Sequence, residues 1–158
     1  MPAKLILCNG AYKSGSTWTY NIVMESLDTS SFDKKYLDKY LNEGLDISML
    51  NEFSREIKDG IFVSKSHEED PKKVMSFREG IDIKVIMIDR DPRSVFLSYY
   101  HHITNSIGFK IPYVIFYSLL GKYKLCEISS YNNKWRDEND IDILWVSFQP
   151  LSFYLQFL

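Results

Sequence analysis

Three short clusters carry groups able to hold an anion and move a proton. The first, Gly10-Ala11-Tyr12-Lys13-Ser14-Gly15-Ser16-Thr17, has the glycine spacing of a phosphate-binding loop, with Ser16 and Thr17 where a Walker loop carries Lys and Ser or Thr. The Walker lysine is absent. Its nearest replacement, Lys13, lies inside the loop, so the cation is re-aimed while backbone amides and a helix N-terminus can still cradle an anion. An ordinary strand-to-helix turn with a Ser-Thr cap would read similarly. The position, straight after an apolar run and before a helical pattern, favours the anion site.

The second cluster is Lys65-Ser66-His67. A histidine at the end of a strand can serve as a general base, because its unperturbed pKa is about 6.5. The neighbouring lysine can stabilise charge developing on a transferring group. Taken alone, such a pair more often sits solvated on the surface. The acidic run Glu68-Glu69-Asp70 that follows reads as a solvated turn or helix start. In the third cluster, Arg90 and Ser98 flank the start of a helix, a placement suited to gripping a phosphate with a guanidinium fork and a hydroxyl. The competing reading pairs Arg90 with Asp89 or Asp91 at the surface.

The elements that must position these clusters follow from periodicity. Residues 4–8 form a short apolar run ending at Asn9-Gly10, a strand entering a turn. From Ser16 onward Trp18, Ile22, Val23 and Leu27 recur at helical spacing. Residues 28–45 are polar, tyrosine-rich and weakly periodic, and residues 47–57 look helical before Gly60 breaks them. Further strands are expected at 61–63, 84–88 and 143–146, with helices after Pro71 and after Pro92. Strands alternating with helices imply an α/β fold, a parallel sheet flanked by helices, and such sheets bind ligands at the carboxyl ends of their strands. All three clusters fall there.

The bulk composition narrows the classes of function. A chain of 158 residues is the length of one domain. Its formal net charge of −2 offers no broad basic field for nucleic acid, so any anion site must be local. The aromatic share of 15% points to a bulky core or an aromatic-lined pocket. Cys8 sits in an apolar run, as a buried thiol would, and neither it nor Cys126 has metal-ligand spacing. The adjacent His101 and His102 point to different sides of a helix and are read as structural, so no metal is expected. The apolar stretches at 4–8 and 111–120 are too short to span a bilayer. A reducing, cytoplasmic location fits, with neither a membrane nor a nucleic acid as partner.

Lys13-Ser14-Gly15-Ser16-Thr17-Trp18 resembles the 5′-phosphosulfate loop of cytosolic sulfotransferases, usually written Pro-Lys-Ser-Gly-Thr-Thr-Trp, with Tyr12 standing where that family has proline. Lys65-Ser66-His67 resembles the family's Lys-Thr-His segment. The run from Arg90-Asp91-Pro92 to Ser98-Tyr99-Tyr100-His101 looks like its 3′-phosphate segment, with Ser94 where the family commonly has Asp. The clusters keep the family's order, and the resemblance covers roughly residues 5–147. Residues 129–135 faintly resemble a later, adenine-side region.

The resemblance implies a P-loop-like sulfotransferase core that uses 3′-phosphoadenosine 5′-phosphosulfate (PAPS) as co-substrate. By it, Lys13, Ser14, Gly15, Ser16 and Thr17 meet the 5′-phosphosulfate, Trp18 lies near the adenine, and Arg90 and Ser98 hold the 3′-phosphate. His67 removes the acceptor proton, and Lys13 and Lys65 assist catalysis. The acceptor is a small molecule bearing a hydroxyl or an amine. A P-loop nucleotide kinase and a catalytically silent nucleotide-binding relative are the alternatives. The stretch 148–158 is apolar, aromatic and uncharged where the family continues into further helices and a basic segment. That ending implies a shortened member with weaker donor binding, low turnover and a tendency to self-associate.

Overall fold

In the structure, a computed structural model, residues 3–27, 60–76, 81–108 and 111–147 are described. The expectations for 28–45, for a helix at 47–57 and for the apolar stretch 148–158 lie outside them. The described elements run β1 (Ala3–Gly10), α1 (Ser16–Ser26), β2 (Ile61–Ser66), α2 (Pro71–Met75), β3 (Ile81–Asp89) and α3 (Pro92–Ile107). They continue with α4 (Tyr113–Phe116), a π-helical turn (Tyr117–Gly121), α5 (Lys122–Arg136) and β4 (Asp142–Ser147). The expected strands are all present, and each is longer than the apolar pattern indicates. The extension of β2 matters most, because it brings Lys65 and Ser66 into the strand itself.

All four strands are parallel, in the order β2-β1-β3-β4. Burial on both faces explains why a strand such as β3 reads Ile-Asp-Ile-Lys-Val-Ile-Met-Ile-Asp, with apolar residues at adjacent as well as alternate positions. Leu5, Leu7, Ile83, Val85 and Met87 point to one face, where Val95, Phe96, Ile128 and Trp135 cover them. Cys8, Ile6, Val63 and Ile86 point to the other, packed against Tyr20, Val23 and Met24 of α1. Cys8 is fully buried there, and desolvation pushes its thiol up to about 12, so it is a packing group and not a reactive thiolate.

Helix starts follow local rules. Asp70 accepts a hydrogen bond from the Lys72 amide (3.0 Å) with Pro71 in the first turn, and Asp91 caps α3 ahead of Pro92 in the same way. Ser94 donates to Asp91 (3.2 Å), which reinforces that cap. The acidic run after His67 is therefore the start of α2, as its composition suggests.

The strand order places β1 between β2 and β3, so the chain leaves β1 to one side and later crosses to the other. In sheets of this kind the crevice opens where the direction reverses, here at the carboxyl ends of β1 and β3. Register pairs Asn9 with Ser66 on one side and Gly10 with Ile88 on the other, which brings the ends of three strands, and the three chemical clusters, to one edge.

Candidate functional site

The loop leaving β1 is built by two backbone conformations that few residues tolerate. Lys13 has φ 70° and Gly15 has φ 118°. For Gly15 the left-handed value is free of a side-chain clash. For Lys13 it costs on the order of 1–3 kcal/mol. The turn is closed by the Ser14 amide donating to the Ala11 carbonyl (2.9 Å). Helix α1 then begins without a capping side chain. Amides in the first turn of a helix have no partner within it, and the helix dipole places positive potential there. Ser14 is buried, and its hydroxyl has no hydrogen-bond partner among the described residues. A β-carbon at Gly10 would stand 2.4 Å from that hydroxyl, so the glycine is what lets the loop fold back over the end of its own strand.

Each of the other clusters is tied to this loop by a hydrogen bond. Lys65 Nζ donates to Thr17 Oγ1 (3.4 Å). Arg90 donates from its guanidinium to the Lys13 carbonyl (3.2 Å). The carboxylates flanking Arg90 have partners of their own: Asp89 accepts from Arg136 (2.6 Å) and Asn132 (2.8 Å), and Asp91 from Arg93. Beside the charge of Asp91, which acts on Arg90 directly, the guanidinium thus gains a contact across 77 residues.

His67 Nδ1 lies 2.7 Å from the Gly10 carbonyl oxygen. A carbonyl only accepts, so the proton sits on Nδ1, and in the neutral ring Nε2 keeps its lone pair. Residue 67 is exposed overall, yet the ring is crowded on one side. Desolvation there holds its pKa below the ordinary value, Lys65 and Lys13 lower it further, and the bond to Gly10 opposes them. The imidazole is thus kept neutral to lower pH than in a free peptide.

Ser98 lies partly buried in α3. Trp18, in the first turn of α1, leaves 54% of its surface exposed. Ser16 is buried and Thr17 exposed.

The sequence pattern of the sulfotransferase domain matches residues 3–149. The chain belongs to the sulfotransferase domain family. No curated protein matches it.

Within this sulfotransferase domain, a hub that motif reading missed holds the β2 exit in place. The Glu68 carbonyl accepts from Asn9 Nδ2 (2.9 Å) and Trp135 Nε1 (3.1 Å). The Tyr131 hydroxyl lies 2.8 Å from the same carbonyl and 2.9 Å from Asn9 Oδ1, with its one proton shared between them. Burial pushes that hydroxyl well above its ordinary pKa, so it remains a donor. Glu68 follows His67 directly, and α5 thereby fixes the backbone that carries the imidazole. The only signal in the sequence was a polar residue, Asn9, at the end of an otherwise apolar strand. The acidic side chains do not orient His67: Glu68 accepts from the Asp70 amide (3.0 Å), and Glu69 pairs with Lys134 (2.7 Å).

Beside His67 opens a cleft of about 200 Å³, lined by Tyr12, Tyr99, Tyr131, Lys124, Glu127 and Ile128 among others. Lys124 donates to both carboxylate oxygens of Glu127 at 2.8 Å and lies 5.3 Å from the centre of the Tyr99 ring. The aromatic richness of the chain serves both purposes raised by its composition, because Phe96, Phe116 and Trp135 fill the core while Tyr12 and Tyr99 wall this cleft. Among the described residues no group of His, Cys, Asp and Glu could hold a metal ion, and no helix is long and apolar enough to cross a membrane.

Proposed function

We propose that the chain transfers a sulfuryl group from PAPS to the hydroxyl or amine of a small acceptor. One observation carries this reading: the clusters after β1, β2 and β3 meet at one sheet edge, joined through Thr17, Lys13 and Gly10. An anion bound on the 10–17 loop would then have lysines and a neutral imidazole beside it. The residues suit the donor. A buried Ser14 hydroxyl without a partner among the described residues, a left-handed Gly15 and an uncapped helix start make an anion cradle.

In this mechanism Lys13, Ser14, Gly15, Ser16 and Thr17 hold the 5′-phosphosulfate, Trp18 lies against the adenine, and Arg90 with Ser98 takes the 3′-phosphate. His67 Nε2 accepts the acceptor's proton as its oxygen or nitrogen bonds to sulfur. The bond from sulfur to the bridging oxygen breaks, and adenosine 3′,5′-bisphosphate leaves. Lys13 and Lys65 stabilise the charge that collects on the bridging and sulfuryl oxygens. Acceleration comes from positioning and electrostatics, as in phosphoryl transfer. We place this chemistry in the cytoplasm, with the described fold acting as one domain.

Product mass after incubation with PAPS and a panel of phenols, alcohols and amines tests the reading directly. Gain of one sulfuryl group is expected, and its absence with every acceptor counts against transfer. Three substitutions test the donor site. Lys13→Ala is expected to weaken PAPS binding measured by calorimetry, and equal affinity would remove Lys13 from the site. Arg90→Ala is expected to lower the preference for a nucleotide with a 3′-phosphate by roughly 10- to 100-fold, since a hydrogen bond to a charged group contributes about 1.5–3 kcal/mol. Ser98→Ala should lower it as well. An unchanged preference would put the 3′-phosphate elsewhere.

A further inference from the structure

Tyr12 is the point at which the loop departs from the sulfotransferase motif, and the fold gives it a defined place. Its ring meets His67 edge-on at 5.3 Å between centroids, Tyr99 at 6.3 Å and His102 at 5.7 Å. Its hydroxyl shares a 2.9 Å hydrogen bond with His102 Nε2. Lys13 Nζ lies 5.6 Å from the ring centre. Tyr12 therefore stands between the lysine of the anion loop and the cleft beside His67, whose wall it forms. With 48% of its surface exposed, burial alone would not hold it there. The bond to α3 does so, joining residues 90 apart. A proline at this position would supply neither the ring nor the hydroxyl.

The size of the cleft gives that wall a consequence. A volume of about 200 Å³ is of the order that encloses one benzene-sized ring. We propose that Tyr12, latched by His102, is the specificity-determining residue of the acceptor cleft and restricts it to acceptors no larger than a single ring around the reacting hydroxyl. This inference rests on the sulfuryl-transfer reading for the word acceptor, but the restriction itself is a property of binding. Removing the ring opens the cleft. Removing only the hydroxyl, or its histidine partner, loosens the wall without deleting it.

The experiment compares 4-methylphenol with 4-cyclohexylphenol, which share the reacting group and differ in the second ring. Binding of each is measured by calorimetry in the presence of adenosine 3′,5′-bisphosphate, and kcat and KM are measured with PAPS. Wild type is expected to favour 4-methylphenol. Tyr12→Ala is expected to shift the ratio toward 4-cyclohexylphenol by tenfold or more, through affinity and KM rather than kcat. Tyr12→Phe and His102→Phe should each shift it part of the way, and the double variant no further than either alone, because both remove one bond. An unchanged ratio in Tyr12→Ala, or binding of neither phenol by wild type, overturns the proposal. Additive effects of the two phenylalanine substitutions overturn the latch. A shifted binding ratio without turnover in wild type would leave Tyr12 in its role and remove the transfer reading.

Discussion

Replacing His67 with alanine is expected to lower sulfuryl transfer by about 10²- to 10⁴-fold while leaving affinity for adenosine 3′,5′-bisphosphate nearly unchanged, because a general base acts on the acceptor. Steady-state rates and calorimetry on the same preparation read both quantities. Retained turnover would exclude His67 as the required base, and a parallel loss of nucleotide affinity would assign it to the donor site. The pH dependence offers an independent check. The pKa of His67 is lowered, first by desolvation and then by Lys65 and Lys13. A base with a lowered pKa stays unprotonated further into acid, so the acid limb of kcat/KM should lie below the ordinary imidazole value of about 6.5. Lys65→Met removes one of the lowering charges, and its limb should move to higher pH whatever happens to the maximal rate. A limb above 6.5 in the wild type would contradict the environment derived for the ring.

Trp135→Ala is expected to cost about 3–5 kcal/mol of folding stability, the range for emptying a fully buried tryptophan site. The side chain is 0% exposed within the core of the α5 face, and its Nε1 is one of the donors to the Glu68 carbonyl. Two effects coincide, a cavity beneath the sheet and one donor fewer on the backbone that carries His67. Trp135→Phe helps to separate them, since it keeps most of the ring volume and loses the hydrogen bond, for which about 1 kcal/mol is expected beside the cost of a smaller cavity. Urea titration gives both values. A loss below about 1 kcal/mol for the alanine variant would show that the site collapses around the substitution, and the hub would not be the anchor described.

The amino-acid sequence by itself determined the local grammar of this protein. Its apolar runs are long enough for strands, its Asp-Pro pairs start α2 and α3, and its glycines and hydroxyls stand where a strand turns into a helix; each depends on neighbours within a few residues. The alternation of those elements was enough to specify a parallel sheet with helices on both faces, and the motifs after β1, β2 and β3 were legible because phosphate-type loops are contiguous. Strand ends were read short, since parallel pairing continues through polar residues such as Lys65 and Asp89 once the neighbouring strand is in register.

Tertiary structure alone decided which groups meet. Arg90 reaches Lys13 because β3 lies beside β1 in the sheet order, which no local pattern encodes. Tyr131 and Asn9 are 122 residues apart and Tyr12 and His102 are 90 apart, so their hydrogen bonds exist only after α5 and α3 have packed on the sheet. The neutral tautomer of His67 has the same origin, since it depends on a backbone carbonyl 57 residues away. Periodicity records which face of an element is buried, but a hydrogen bond of 2.7–2.9 Å needs two elements placed to within a fraction of an ångström, and that placement is a property of the packed core.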